Sequence, residues 1–163
     1  MSTLELAADL LARDLDMLKM TLSDLSDADM LVRPAAGANH AAWQLGHLAS
    51  AESWMVNAVA PGAGGELPAG FADRFSKEAA KTDDPAAFPK KAELIDAFEK
   101  VRSATIRWVK GLTDADLARP GPEKMRNFAP TVGHLILMTP VHTTMHTGQF
   151  QVIRRKLGKP VLF

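Results

Sequence analysis

Apolar residues recur at alternating steps of three and four in four separate segments, and this spacing strongly limits the folds open to the chain. In the first segment these positions are Leu4, Ala8, Leu11, Leu15, Leu18, Leu22 and Leu25. The spacing places one apolar stripe on an α-helix that packs nearly parallel to its neighbours. The helix is predicted to end near Leu25, because residues 26–29 offer capping chemistry and Pro34 follows.

Three further segments show the same helical pattern. Residues 39–59 begin with a potential N-cap, Asn39, and are apolar around most of the helix, so this helix is expected to be largely buried. Residues 90–112 repeat the three-and-four spacing. Residues 131–157 repeat it with polar groups at the centre of the stripe, and Pro140 is expected to kink or split this fourth helix.

Almost no segment alternates with the period of two that is typical of a strand. We therefore expect an all-α fold, a four-helix bundle in a single domain spanning residues 1–163. Residues 61–89, which connect the second and third helices, are far more than adjacent antiparallel helices need. They are predicted to form a long crossover with a short helix at residues 72–81, and they are a candidate cover for a site.

A short phrase occurs twice in the chain. Residues 25–34 resemble residues 112–120, and nearly the same offset aligns the Gly-His-Leu sequences at 46–48 and 133–135. The repeat favours two helix-loop-helix halves related by pseudo-symmetry. The alternative is chance reuse of a common helix-start phrase.

Composition narrows the chemistry. The chain has no cysteine, so disulfides and thiolate ligands are excluded, and any metal must be held by nitrogen or oxygen. Its 19 basic and 19 acidic residues are interspersed, which argues against nucleic acid or a membrane surface as partner. The first residues do not resemble a signal peptide and no long apolar run occurs, so we expect a soluble, cytoplasmic protein.

Histidine is the residue type that carries a functional signal. His142 and His146 are four residues apart, so a helix directs both imidazoles toward one point. They occupy the stripe where the other helices have Leu, Phe or Val. Leaving them buried without partners would cost about 1–3 kcal/mol per group. A shared metal ion would compensate for this cost, and the alternative is a buried pair with ordinary hydrogen-bond partners.

A third imidazole would complete a three-nitrogen face, and His47, on the same face of its helix as Trp43, is the best candidate. Three neutral histidines with open positions suit Zn²⁺ or Ni²⁺. His40 lies about 10 Å from His47 along the helix and is interpreted as a helix-start residue. His134, eight residues before His142, is expected in the core or at an interface.

Three sequence phrases together resemble one family. They are Trp-Gln-Leu-Gly-His-Leu-Ala at 43–49, His-Thr-Thr-Met-His-Thr-Gly-Gln at 142–149 and Arg-Arg-Lys-Leu-Gly-Lys-Pro at 154–160, and they are similar to the DinB-like (DinB/YfiT) superfamily. The resemblance implies a four-helix bundle with a long crossover, a metal triad on His47, His142 and His146, and a homodimer. Some relatives use low-molecular-weight thiols, and without cysteine such a thiol must come from outside this chain.

Other polar candidates are weaker. Thr143 stands where a zinc protease would have its glutamate base, so that chemistry is not expected. Gln149 either orients a ligand or forms a helix–helix hydrogen bond. Glu52 lies about 140° around the helix from His47 and should point away. Arg154 and Arg155 are expected on a solvated face or in an intersubunit salt bridge, rather than on an anionic substrate.

The apolar residues near the triad leave two interpretations open. Trp43, Trp54, Phe150 and the methionines either line a pocket or form plain core. The leading functional hypothesis is a metal-dependent enzyme, a hydrolase or thiol transferase, whose ion acts as a Lewis acid on a small molecule. The alternative is a non-catalytic, dimeric ligand-binding or structural module whose metal stabilises the fold.

Overall fold

The computed structural model describes residues 1–162, and four α-helices are its main elements. They are α1 (Thr3–Leu22), α2 (Ala41–Asn57), α3 (Lys91–Lys110) and α4 (Val132–Lys156). The described residues contain no β-strand, only an isolated bridge between Pro120 and Thr131. The predicted all-α four-helix bundle is confirmed, while residue 163 of the expected domain lies outside the described range. No helix within 1–162 has the length and hydropathy to cross a membrane.

Side-chain contacts establish the directions of the helices. α1 and α4 run the same way, because Asp14 meets Thr144 and, two turns later, Thr21 meets Gln151. α3 runs opposite to α1, since Lys91 in its first turn donates a hydrogen bond to the carbonyl of the last residue of α1. α1 therefore packs between a parallel and an antiparallel neighbour.

The second helix runs antiparallel to the fourth. Gln44 near its start contacts His146, and Met55 near its end shares an apolar cluster with Leu135. α2 and α3 consequently point the same way, so the connection between them must return along the bundle, which confirms the predicted crossover. Its short 3₁₀ turns are Ala72–Phe75, Ala79–Lys81 and Pro85–Ala87. The single short helix predicted at 72–81 is wrong, because two separate turns occupy that stretch.

Two helix boundaries differ from the sequence prediction. α1 ends three residues before Leu25. The ammonium group of Lys91 donates hydrogen bonds to the carbonyls of Leu22, Ser23 and Leu25, so these carbonyls need no further helical turn. α2 begins after His40 rather than Asn39, since the imidazole Nδ1 of His40 accepts the backbone N–H of Trp43, the third residue of the helix.

Of the kink or split predicted at Pro140, the split does not occur. α4 is continuous from Val132 to Lys156 although Pro140 lies inside it. A proline removes one backbone hydrogen bond. Ile136, one turn earlier, and Pro140 itself are both buried, so packing holds the two parts of the helix together.

A buried guanidinium joins all four helices. Arg102 of α3 is fully buried and binds both carboxylate oxygens of Glu52 on α2 and one oxygen of Asp14 on α1. It also donates to the hydroxyl of Thr143 on α4 and lies 4.9 Å from the ring centre of Phe98. Glu52 therefore points away from His47, as predicted.

The paired arginines near the end of α4 have different environments. Arg154 is buried, pairs with Asp24 and donates to the carbonyls of Thr21 and Pro160. The expectation of a solvated or intersubunit Arg154 is wrong, because the chain after α4 folds back over its guanidinium. Arg155 is exposed.

Candidate metal centre

The structure brings three of the five histidines together between α2 and α4. The ring centres of His47, His142 and His146 are 4.8 to 5.6 Å apart. Each ring offers one nitrogen, and these three atoms lie within 4.8 Å of one another. The Nε2 atoms of His142 and His146 are 3.2 Å apart. The residues proposed from spacing thus form one cluster.

The donor set fits a divalent ion. Two imidazole nitrogens bound tetrahedrally at 2.0–2.1 Å from one zinc ion are about 3.3 Å apart. The His142–His146 separation of 3.2 Å matches this value, and the widest separation in the cluster would have to close by about 1.5 Å. Side-chain rotation of His47 can provide such a change. Three neutral nitrogens also leave open coordination positions, which a structural zinc site lacks.

Burial keeps the three imidazoles neutral. Burial is the main cause that lowers the pKa of His142 to about 4 and that of His146 to about 3, and repulsion between the histidines adds to it. Burial also lowers the pKa of His47. Near pH 7 all three rings are therefore uncharged, which is the form that binds a metal.

An aromatic side chain fixes the plane of His47. The indole of Trp43 stacks on that imidazole with 4.9 Å between ring centres and 6° between planes. The indole is held in turn, because its Nε1–H donates to the carbonyl of Ser76 in the crossover at 2.9 Å. The crossover thus acts on the cluster through Trp43.

A glutamine that the sequence reasoning missed orients His146. The backbone carbonyl of Asn39 can only accept, so the NH₂ group of Gln44 faces it and the amide oxygen faces His146. The Nδ1 atom of His146, 2.7 Å away, must therefore carry the hydrogen and donate it. The lone pair of His146 is left on Nε2, toward His142.

Four other candidates lie outside the cluster. His40 is the N-cap of α2, which confirms the helix-start interpretation. His134 is exposed beside Thr131 in the first turn of α4, so of the two expected positions, core or interface, the core position is wrong. Within residues 1–162 the amide of Gln149 makes no hydrogen bond to protein, and Gln44 occupies the role considered for it. Thr143 faces Arg102.

An apolar cavity of about 590 Å³, here called the histidine pocket, opens beside the cluster, with His47 and His142 in its wall. Four methionines line it: Met55, Met125, Met138 and Met145. Its other lining residues are Ala51, Trp54, Phe128 and Val141. The pocket interpretation is thus correct for Trp54 and for these methionines, and wrong for Trp43 and Phe150.

The long crossover does not cover this pocket. None of its residues lines the cavity, and the outer wall comes instead from Met125 and Phe128, between α3 and α4. The crossover packs against the other side of α2, where Phe75 fills the space beside Gly46. The crossover therefore contributes to the site by supporting α2.

The comparisons with known proteins agree with this architecture. Residues 10–150 match the model of the DinB superfamily, and the chain belongs to that family. The family resemblance drawn from the histidine phrases is confirmed. No curated protein matches the chain significantly.

Two solved structures are similar over nearly the whole chain. One is described as the conserved protein of a locus from Enterococcus faecalis, with 18% identity, a TM-score of 0.73 and coverage of 98% of this chain and 99% of that one. The other is YfiT from Bacillus subtilis, described as a probable metal-dependent hydrolase with an unusual four-helix bundle topology. It is 14% identical, with a TM-score of 0.68 and coverage of 98% and 91%. At these identities the likeness concerns the fold alone.

Proposed function

We propose that the chain is a metal-dependent enzyme in which His47, His142 and His146 hold one divalent ion, zinc or nickel. The observation that carries this proposal is the convergence of three neutral imidazole nitrogens within 4.8 Å beside a cavity of about 590 Å³. The description of YfiT as a probable metal-dependent hydrolase supports the same chemistry. The reaction is hydrolysis of a small molecule, or transfer to a low-molecular-weight thiol.

The protein's own side chains prepare the site. Gln44 holds the tautomer of His146, so that ring need not reorganise when an ion binds, while the His47 side chain, stacked on Trp43, rotates to close the cluster. The apolar pocket borders one side of the cluster. A bound ion would supply Lewis acidity, which activates a nucleophile or polarises an electrophile at neutral pH.

Among residues 1–162, the site offers no carboxylate base of its own. The only titratable groups in the wall of the histidine pocket are the imidazoles of His47 and His142. Glu52 is occupied by Arg102, and Thr143 faces that same guanidinium. An external thiol loses its proton more readily than water does. A thiol nucleophile would therefore depend less on a general base than a water nucleophile would.

Metal content tests the site. The full chain would be purified without added metal, and bound metals would be quantified by mass spectrometry for the wild type, His142→Ala and His134→Ala. His134 is the matched control, because it lies exposed on the same helix. About one equivalent should remain in the wild type and the control, and His142→Ala should lose it. Equal metal content in all three would refute the site.

Activity tests the chemistry. The protein would be assayed as purified, after chelation and after re-addition of zinc or nickel. The substrates would be hydrolysable esters and amides, and apolar electrophiles supplied with cysteine or glutathione. We expect turnover that disappears on chelation and returns with metal. Turnover that survives in His142→Ala would contradict the proposal.

The lack of a carboxylate base favours a second candidate, a dimeric binding or structural module stabilised by its metal. An ion at a hundred times its dissociation constant stabilises a fold by about 2.7 kcal/mol. Chelation would then lower the melting temperature of the wild type, and no substrate would turn over. Sedimentation analysis would show whether a homodimer forms.

A further inference from the structure

The histidine pocket differs in chemistry from a second cavity of similar size. Eight of its ten lining residues are apolar, and the other two are His47 and His142. The second cavity, about 610 Å³ between the crossover and α3, is lined in part by Glu66, Arg74 and Lys100. The wall of the histidine pocket therefore suits an uncharged ligand better than that of the second cavity, since an uncharged ligand would displace water from charged side chains only in the second.

In the part of the chain that the structure describes, the pocket wall holds no charged side chain to pair with a charged ligand. A carboxylate, phosphate or ammonium placed among its methionines would lose its water without gaining a counter-charge from the chain, and this costs several kcal/mol. An apolar group gains from the same transfer. Methionine side chains adapt to ligands of different shape, and thioethers contact aromatic rings favourably. The lining therefore selects by polarity more than by exact shape.

The mouth of the pocket exposes large apolar side chains. Phe128 is 75% exposed, Val141 66% and Met145 57%, and Trp54 lies in the same wall. Such a contiguous patch on a water-facing surface marks a binding site. Its concave shape and a volume within the 300–1,000 Å³ range of small-ligand sites favour a small molecule over a flat protein partner.

We propose that the histidine pocket binds an uncharged, apolar or aromatic group of the substrate and places the bond next to that group against His47 and His142. This inference rests on the proposed function, since it names the substrate class of the same site. It assigns the reactants by polarity: the apolar electrophile occupies the pocket, and a polar nucleophile approaches from outside it.

An uncharged fluorescent probe tests the pocket without any turnover. N-phenyl-1-naphthylamine would be titrated into the full chain after chelation, so that no ion contributes to binding. Its 8-sulfonate has the same rings with one negative charge and is the matched control ligand. We expect the uncharged probe to bind at least about tenfold more tightly than the sulfonate.

Two variants place a charge in the pocket wall from separate elements. Val141→Asp on α4 and Phe128→Asp before α4 should each weaken binding of the uncharged probe by about tenfold. Leu137→Asp is the control, because Leu137 is 60% exposed on α4 and outside the pocket. It should change the dissociation constant by less than about twofold. Circular dichroism melting of all three variants checks that they are folded.

The opposite outcomes are equally clear. No binding to the wild type, equal binding of both probes, or the same effect in all three variants would overturn the inference. It would also be overturned if sedimentation showed a wild-type dimer that excludes the probe and that Val141→Asp dissociates, because a second copy would then cover the pocket. Metal content measured in parallel separates these results from a failure of the proposed function.

Discussion

The amide oxygen of Gln44 lies 2.7 Å from Nδ1 of His146, across the interface between α2 and α4. This hydrogen bond selects the tautomer that leaves Nε2 free to bind a metal. We predict that Gln44→Leu weakens zinc binding by about 10- to 100-fold, because the ring loses its orientation and its tautomer. Competition with a chromogenic chelator measures the change.

Two variants control this prediction. Gln149→Leu, one turn after His146, should bind zinc as the wild type does. Gln44→Glu keeps an acceptor in place and should retain most of the affinity. Wild-type affinity in Gln44→Leu would show that packing alone orients the histidine.

Removing Arg102 should destabilise the protein severely. Arg102→Met leaves Asp14 and Glu52 as buried carboxylates without their counter-charge, and breaking such a cluster costs about 3–5 kcal/mol. Urea unfolding of the metal-free protein measures the loss. Arg13→Ala is the control, because Arg13 pairs with Asp9 on the exposed face of α1, and its unfolding midpoint should stay near that of the wild type. Similar midpoints in both variants would contradict the prediction.

His40 should make the fold sensitive to mild acid. Its Nδ1 accepts the backbone N–H of Trp43, and its Nε2 donates to the carbonyl of Thr82. Burial lowers the pKa of His40, and the nearby Arg33 adds to this, while the Thr82 carbonyl and Asp83 oppose it. Protonation would remove the helix cap.

The sign of the pH effect follows from that lowered pKa. The unfolded chain takes up the proton near pH 6.5, before the folded state does, so this stabilisation is complete above pH 6.5 and is lost as the pH falls below it. Asparagine caps helices but does not titrate in this range. Urea unfolding of the chelated protein between pH 5 and 7.5 should therefore show a steeper loss in the wild type than in His40→Asn. Parallel curves would contradict the prediction.

Two mid-helix glycines should respond oppositely to alanine. A Cβ on Gly46 would lie 2.1 Å from the ring of Phe75, which is itself buried, so Gly46→Ala should destabilise the fold by about 1–3 kcal/mol. Gly148 has open space around it, and Gly148→Ala should stabilise α4 by about 0.5–1 kcal/mol. Thermal unfolding compares the two. A stabilised Gly46→Ala would show that Phe75 is not firmly docked.

The features that could be predicted from the sequence are those that depend on the spacing of residues close together in the chain. The three-and-four period located four helices, and the four-residue spacing of His142 and His146 located two of the three members of the cluster. The third member, His47, follows from its place in mid-helix on the face of Trp43 and from the family resemblance. Helix ends were less accurate, since they depend on distant groups such as Lys91 at the end of α1.

The residues that were missed act across long stretches of chain. Arg102 meets Asp14 and Glu52, which are 88 and 50 residues away, and Gln44 meets His146 at a separation of 102. No local pattern encodes such pairs, because they depend on the relative rotation of packed helices. The lining of the histidine pocket could not be predicted for the same reason, because Phe128 reaches the pocket from a loop whose sequence has no periodic pattern.

The placement of the three histidines on two helices has a mechanical consequence for a chain without cysteine. His47 and His142 are about 95 residues apart, so an ion bound to both would close a loop that spans most of the protein. On the chain-entropy model, a disulfide closing such a loop restricts the unfolded ensemble by about 4–5 kcal/mol. A coordinated ion would act as a reversible cross-link of the same kind. The free energy of unfolding would then depend on the concentration of free metal ion.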